Sequence, residues 1–244
     1  MQLKKKRIAG LLSAATCSLL CSPTQAADGE WDVDSAILFY AENNDRIQAV
    51  EPVISASKDL GDDESVSFKL VIDSLTGASA TGAVPSTMVQ TFTRPSGNGT
   101  YTVNPNETPL DDTFKDTRVA YSMNWEKPID RNNRRNLGFN VSKEYDFTSI
   151  SGNAMWQHDT NLKNTTWSYG INIELDDIDP VGKVPEPLTD MLAQDKGSSS
   201  DTRNVVDLLF GVTQVIDRTS LFQVNLSLSE ADGYMTDPLS LIHI

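Results

Sequence analysis

Cysteine is almost absent from this 244-residue chain, and both copies, Cys17 and Cys21, lie within the first 26 residues. Beyond that point there is no thiol, so neither disulfides nor thiolate chemistry are expected in the remainder. Histidine is nearly as scarce, with His158 and His243 alone. Without thiols, these two imidazoles do not supply the usual zinc ligand sets or a Cys-His pair. Basic charge is short as well: 20 Lys and Arg stand against 34 Asp and Glu, a formal net charge of −14. That balance argues against nucleic acid as a partner, because phosphate binding needs a basic surface. It argues equally against docking on anionic phospholipid through a basic face. No Gly-rich phosphate loop or dinucleotide fingerprint occurs. After residue 26 no apolar run reaches the about 20 residues of a spanning helix. That last absence leaves strands untouched, since a strand facing lipid on one side only is never uniformly apolar.

What is present begins with a leader. Lys4, Lys5, Lys6 and Arg7 form a basic stretch, Ile8 to Leu20 a short apolar one, and Thr24-Gln25-Ala26 a small-residue cleavage site. This order predicts a removable signal peptide over residues 1–26. Leu20 and Thr16 precede the two cysteines where a lipoprotein would place a small Gly or Ala, so lipidation is not expected. Removal of the four leader charges takes the net charge from −14 to −18. Acidic loops of this kind are compatible with a lipopolysaccharide layer rich in divalent cations, and with a soluble acidic domain.

From there to the end, apolar and polar side chains alternate. Val119, Tyr121, Met123 and Trp125 fall on one side of a strand, and Ala120, Ser122, Asn124 and Glu126 on the other. Trp167, Tyr169, Ile171, Ile173 and Leu175 repeat the pattern against Ser168, Gly170, Asn172 and Glu174. A period of two is the signature of β-structure. Nine strands are predicted, near 32–42, 45–58, 64–74, 116–127, 135–147, 150–160, 164–176, 203–217 and 219–230. Most have ten or more residues, against about 5–6 for globular strands and about 9–11 for spanning ones. The expected fold class is therefore all-β, an antiparallel transmembrane β-barrel of the outer-membrane type, incomplete in this chain. Short turns are expected at 59–63, 128–134, 161–163 and 218, and long connections at 75–115 and 177–202. Both long connections follow odd-numbered strands and so share one end, the extracellular end of such a barrel. Aromatic residues gather near strand ends at Phe39 and Tyr40, Trp125, Tyr145 and Phe147, and Trp167.

No catalytic constellation emerges, and no catalytic, metal or cofactor residues are assigned. His158 is expected to be a plain strand-end residue. Acidic groups occur at Asp59, Asp62, Asp63 and Glu64, at Asp111, Asp112 and Asp116, and at Asp176, Asp177 and Asp179. None has EF-hand spacing, so solvated loop charge is the expectation. The most distinctive segment is Asp73, Ser74, Leu75, Thr76, Gly77, Ala78, Ser79, Ala80, Thr81, Gly82 and Ala83. Its small residues permit tight turns and close packing. It is read as a rim turn opening a long loop, with a loop folded into the lumen as the functional alternative.

That segment, together with Trp31-Asp32-Val33-Asp34 and Gly233-Tyr234-Met235-Thr236-Asp237-Pro238, resembles bacterial domain-of-unknown-function family 3570 over about Trp31 to Pro238. The resemblance implies an outer-membrane β-barrel and supplies no substrate or catalytic residue. Leu239 to Ile244 are read as a non-native, adapter-like tail, leaving residues 27–238 as a partial barrel domain. The expected role is a non-enzymatic pore or structural surface protein whose partners are outer-membrane lipid and lipopolysaccharide. Two other classes compete. An exported soluble β-sandwich would bind glycans or act as an adhesin, and would stay in solution without detergent. A barrel enzyme, such as a lipase or protease, would need Ser, His and acid together at the lumen or rim.

Overall fold

The computed structural model describes residues 16–18, 30–42, 47–80, 83–184, 197–235 and 242–243. Within them the chain is all-β. The strands are β1 (Thr16–Ser18), β2 (Trp31–Ala41), β3 (Ile47–Gly61), β4 (Glu64–Ala80), β5 (Gln90–Thr93), β6 (Thr100–Val103) and β7 (Leu110–Pro128). They continue as β8 (Asn133–Lys143), β9 (Phe147–Thr160), β10 (Thr165–Ile178), β11 (Asp201–Val215), β12 (Leu221–Gly233) and β13 (Ile242–His243). Ten of them form one sheet in the order β1-β2-β3-β4-β7-β8-β9-β10-β11-β12. Every pairing in it is antiparallel, and each strand after β1 lies beside its predecessor in this sheet. The remaining three form a small sheet, β13-β5-β6. All nine strands expected from the alternation are present, as β2 to β4 and β7 to β12. The sheet does not close on itself among the described residues.

Local chemistry explains the turns. Asp62 and Asp63 both have positive φ, 54° and 60°, as a two-residue hairpin with the twist of its flanking strands requires. Asp59 accepts the Gly61 N–H at 2.8 Å beside a register shift between residues 59 and 61. Asp130 caps the β7–β8 turn, accepting the backbone N–H groups of Asn132 and Asn133 at 2.8 and 2.9 Å. Asp217 does the same at the β11–β12 turn, accepting from the Thr219 N–H at 2.8 Å. These carboxylates satisfy backbone donors that the strand ladder cannot reach.

Both long connections share one end, together with the short ones at 42–46 and 144–146. The turns at 62–63, 129–132, 161–164 and 216–220 all lie at one end of the sheet. The long excursions 81–109 and 179–200 lie at the other, as the strand parity requires. The first excursion is shorter than the expected 75–115, because β4 and β7 extend into it and β5 and β6 form inside it. The segment expected as a rim turn is accordingly strand. Asp73 to Ala80 continue β4 and pair with β7 as far as Ala80 opposite Leu110. The small residues there accommodate a bulge instead of a reversal. Gly77 has φ +121°, where a β-carbon is strained, and the register with β7 shifts between Gly77 and Ser79. Gly82 lies outside the described residues.

Two short strands fall in segments expected to be lost or foreign. β1 lies within the expected leader and pairs along the outer edge of β2, with Cys17 opposite Leu38. β13 lies in the expected tail and pairs with β5, placing His243 opposite Thr91.

Candidate functional site

The two faces of the large sheet have opposite chemistry and inverted exposure. Reading across the register, Ile54, Leu70, Tyr121 and Val141 are successive neighbours on one face. Leu137, Ala154, Ile171, Leu208 and Leu228 form a second row of apolar neighbours on the same face toward β12. On β10 these apolar positions are the open ones: Ile171, Ile173 and Leu175 are 43, 48 and 54% exposed. Their polar neighbours Ser168, Asn172 and Glu174 are half-buried, and Asp176 is buried. β11 repeats the inversion, with Val206, Leu208 and Phe210 exposed and Arg203 and Asp207 half-buried. In a soluble sheet the order is reversed, since burial of apolar surface drives its folding.

Crowding on the polar face accounts for the inversion. A β-carbon on Gly138 would lie 2.4 Å from Asn153 Nδ2, and one on Gly211 would lie 2.6 Å from Asn225 Oδ1. The side chains of this face bond to one another laterally. Ser122 Oγ donates to Asn140 Oδ1 at 3.1 Å, and Asn172 Nδ2 donates to Asp207 Oδ2 at 3.0 Å. Arg134 pairs with Asp159 at 3.1 Å, and Thr166 Oγ1 donates to the same carboxylate at 2.7 Å.

The apolar face is bordered at the short-turn end by tryptophan. All four tryptophans of the chain, Trp31, Trp125, Trp156 and Trp167, lie on it within a few residues of that end. Cations and polar groups accompany them. Lys58 Nζ stands 5.8 Å from the Trp31 ring centroid, and the Arg135 guanidinium 4.8 Å from that of Trp125. Trp125 Nε1 donates to Glu64 at 2.9 Å, and Trp156 Nε1 donates to Asn133 at 3.2 Å. His158 shares the Asn133 side chain, its Nδ1 2.8 Å from Oδ1. Of these tryptophans the strand-end clustering had singled out Trp125 and Trp167. The same alternation, extended to Trp31 and Trp156, places the other two on that face. Phe147 stands at a strand end, as the first residue of β9, but on the other face from the tryptophans. It lies on the polar face, opposite Ile178, with the Arg203 guanidinium 6.0 Å from its ring.

At the long-loop end, two segments fold over the polar face. The first is the β5–β6 hairpin, where Phe92 stacks on Tyr101 at 5.3 Å and Val103 is buried. Its Arg94 approaches Asp111 at 4.0 Å, and that carboxylate is 2% exposed at residue level. The second is 179–184, seated on a cluster of Ile178, Val184 and Tyr234 with Phe147 against it. The two segments join each other: Gly182 N–H donates to Ser96 O at 2.7 Å, and Val181 N–H to Ser96 Oγ at 3.0 Å. Gly97 and Gly182 touch so closely that a β-carbon on either would lie 2.6 Å from the other's Cα.

Two members of the acidic groups are therefore structural and not solvated loop charge. Asp111 is buried under the hairpin. Asp176 has a fully buried side chain held by Arg203 at 2.7 Å, with Glu174 3.9 Å from the same guanidinium. Both sit where a long loop covers a strand end, which the clustering of acids in sequence does not reveal. Outside the strands, burial and the nearby Asp116 push the Glu144 carboxyl up, while Arg118 opposes them. Hydrogen bonds from the Thr219 backbone and side chain hold Asp217 below the usual carboxylate range. Backbone donation from Asn132 and side-chain donation from Asn133 hold Asp130 low in the same way.

Of the distinctive segment, Asp73 faces Arg118 at 3.6 Å, and Ser74 Oγ lies 3.4 Å from Thr117 Oγ1. These are cross-strand contacts between β4 and β7, and they position the base of the β5–β6 excursion. Among the described residues no group of three or more His, Cys, Asp and Glu is placed to hold a metal ion, and no helix is long and apolar enough to cross a membrane. Comparison with curated proteins and with solved structures returns no match. A family described as Protein of unknown function (DUF3570) matches residues 9–244, beyond the expected Trp31–Pro238 at both ends. With nearly its whole length matched, the chain belongs to the DUF3570 family.

Proposed function

We propose that this chain is a non-enzymatic outer-membrane β-barrel protein, acting as a pore or a structural surface protein. Its apolar face meets lipid, and its acidic long-loop end meets lipopolysaccharide. One observation carries the reading: along β10 and β11 the apolar face is the open face and the polar face the more enclosed one, and Leu137, Phe139 and Ile150 of β8 and β9 stand exposed on that same apolar face. A bilayer stabilises that arrangement and water does not. Dimensions agree. Trp167 to Leu175 advance eight residues, about 26 Å at about 3.3 Å per residue. At a strand tilt of about 40° this is roughly 20 Å along the barrel axis, close to the about 25 Å apolar band of such barrels. The tryptophan row with its cations fits an interfacial girdle. In a soluble sandwich a second sheet would cover the apolar face, but the small β13-β5-β6 sheet packs toward the polar one.

On this reading the leader is removed by export, β2 loses the β1 pairing, and closure joins the free edges of β2 and β12 directly or through further strands. Membrane fractionation followed by gel mobility with and without boiling tests it. Outer-membrane recovery with a heat-dependent shift is the expected result. Recovery in the soluble periplasmic or secreted fraction, with no shift, overturns it.

A further inference from the structure

We propose that the apolar face at the short-turn end binds one phospholipid, its phosphate on Arg135 and an acyl chain in a trough along β9. This rests on the barrel reading and names a ligand for the face which that reading turns to lipid. On that reading the long loops meet lipopolysaccharide, so the short turns lie at the opposite leaflet, among phospholipid headgroups.

The trough comes from small side chains on β9. From its short-turn end the apolar face of this strand presents Trp156, Ala154, Gly152 and Ile150. Leu137 and Phe139 of β8 stand opposite Ala154 and Gly152 on one side, and Ile171 and Ile173 of β10 on the other. All four of these flanking residues are exposed. A β-carbon on Gly152 would meet only Gly138 O, at 3.9 Å, so neither Phe139 nor Ile173 leans across to cover it. The walls rise from strands two spacings apart, about 10 Å. From Trp156 to Ile150 the floor advances six residues, about 20 Å. At a strand tilt of about 40° this is roughly 15 Å along the barrel axis, the hydrocarbon depth of one leaflet.

A cation stands at the head of the trough. Arg135 is paired in register with Trp156, one strand from the floor, and with Lys127 on its other side. Lys127 is engaged with Glu64 at 2.7 Å. The Arg135 guanidinium lies over the Trp125 ring, and among the described residues its buried Nε has no hydrogen-bond partner. A guanidinium held over a ring face keeps its fork of N–H donors for a bidentate acceptor, and a phosphodiester is one. Among the described strands, this end of the apolar face carries Lys58, Lys127 and Arg135 against Glu64. It is locally basic although the chain as a whole is acidic, and an anionic headgroup complements it.

Native mass spectrometry tests the site, on the full-length protein refolded in nonionic detergent and given dimyristoyl phosphatidylglycerol. The wild type is expected to retain one phosphatidylglycerol per chain. Arg135→Gln should weaken retention roughly fivefold, the effect of one cation at a lipid surface. Gly152→Leu fills the trough without striking the backbone and should also weaken retention, with the heat-dependent gel shift kept. Lys69→Gln removes a cation from the polar face, opposite Ser122, and should leave retention unchanged. A glucosyl diacylglycerol with the same chains and no phosphate should bind more weakly, and millimolar inorganic phosphate should not displace the phosphatidylglycerol. Equal retention in wild type, Arg135→Gln and Gly152→Leu overturns the site. So does equal binding of the uncharged lipid, displacement by inorganic phosphate, or a wild type that shows the gel shift and retains no lipid. Loss of the gel shift in wild type overturns the barrel reading itself, and the site with it.

Discussion

Arg203 on β11 reaches across to Asp176 on β10 at 2.7 Å, and the carboxylate it meets has no exposed surface. Removal of the guanidinium leaves a buried carboxylate without its cation. Such breaks cost about 3–5 kcal/mol, and the one-third exposure of Arg203 puts the loss near the lower figure. Arg203→Ala should lower unfolding stability in detergent by about 3 kcal/mol, with much of the loss recovered in the Arg203→Ala, Asp176→Asn double variant. Chemical denaturation followed by tryptophan fluorescence measures both.

Leu208 stands exposed on the face proposed to meet lipid. On that reading Leu208→Lys sets a charge in hydrocarbon and costs about 2–4 kcal/mol. A neutral effect in folding from urea into vesicles would contradict the assignment of the face, because an exposed Leu→Lys exchange in water costs little.

The tryptophan row gives a depth marker. In vesicles, lipids brominated near the headgroup should quench the intrinsic fluorescence more strongly than lipids brominated near the chain end. Equal or absent quenching would place Trp31, Trp125, Trp156 and Trp167 away from the interface.

Acidification acts oppositely on two turn carboxyls. Asp217 has a lowered folded-state value, so its contribution is present above the unfolded value of about 3.9 and is lost as pH falls through the folded one. Glu144 is raised, so its contribution is present below the unfolded value of about 4.3 and is lost as pH rises through the folded one. Glu144→Gln should therefore stabilise at neutral pH, and Asp217→Asn should weaken the acid dependence below about pH 4. Denaturation midpoints measured from pH 3 to 7 decide both signs.

Leu162 occupies left-handed backbone at φ 56° between Asn161 and Lys163, which do the same, and its side chain is almost wholly exposed. Left-handed geometry costs a branched residue about 1–2 kcal/mol, and glycine loses about 0.5–1 kcal/mol in entropy when ordered. Leu162→Gly should raise stability by about 0.5–1 kcal/mol, read from the same denaturation curves.

The long strands were legible because one rule, apolar on alternate residues, governs each of them over ten or more positions. Val119 to Trp125 and Trp167 to Leu175 state it without interruption. The ends were less so. At Asp73 to Ala80 the side chains are mostly small and show no apolar alternation, and the backbone ladders with β3, as far as Gly77, and with β7 make the segment a strand. β5 and β6, four residues each, are too short to display a period. Asp111 meets Arg94 from the β5–β6 hairpin and Asp176 meets Arg203 from β11, partners outside each acid's own strand, and no local pattern announces them. The parity of the long connections did foretell that these loops would share an end.

Strictly neighbouring strand order has a consequence for how such proteins change over time. Since β2 to β4 and β7 to β12 lie in the large sheet in chain order, each beside its predecessor, every register there is set between consecutive strands of that sheet. A duplicated or deleted hairpin would alter the circumference by about 10 Å, two strand spacings, and leave every other pairing intact. Single-strand changes would instead invert the ends for everything downstream, carrying the loops that meet at Ser96 and Gly182 to opposite sides. Growth by pairs is thus the path open to this architecture, and the junction of its two loops is the feature that enforces it.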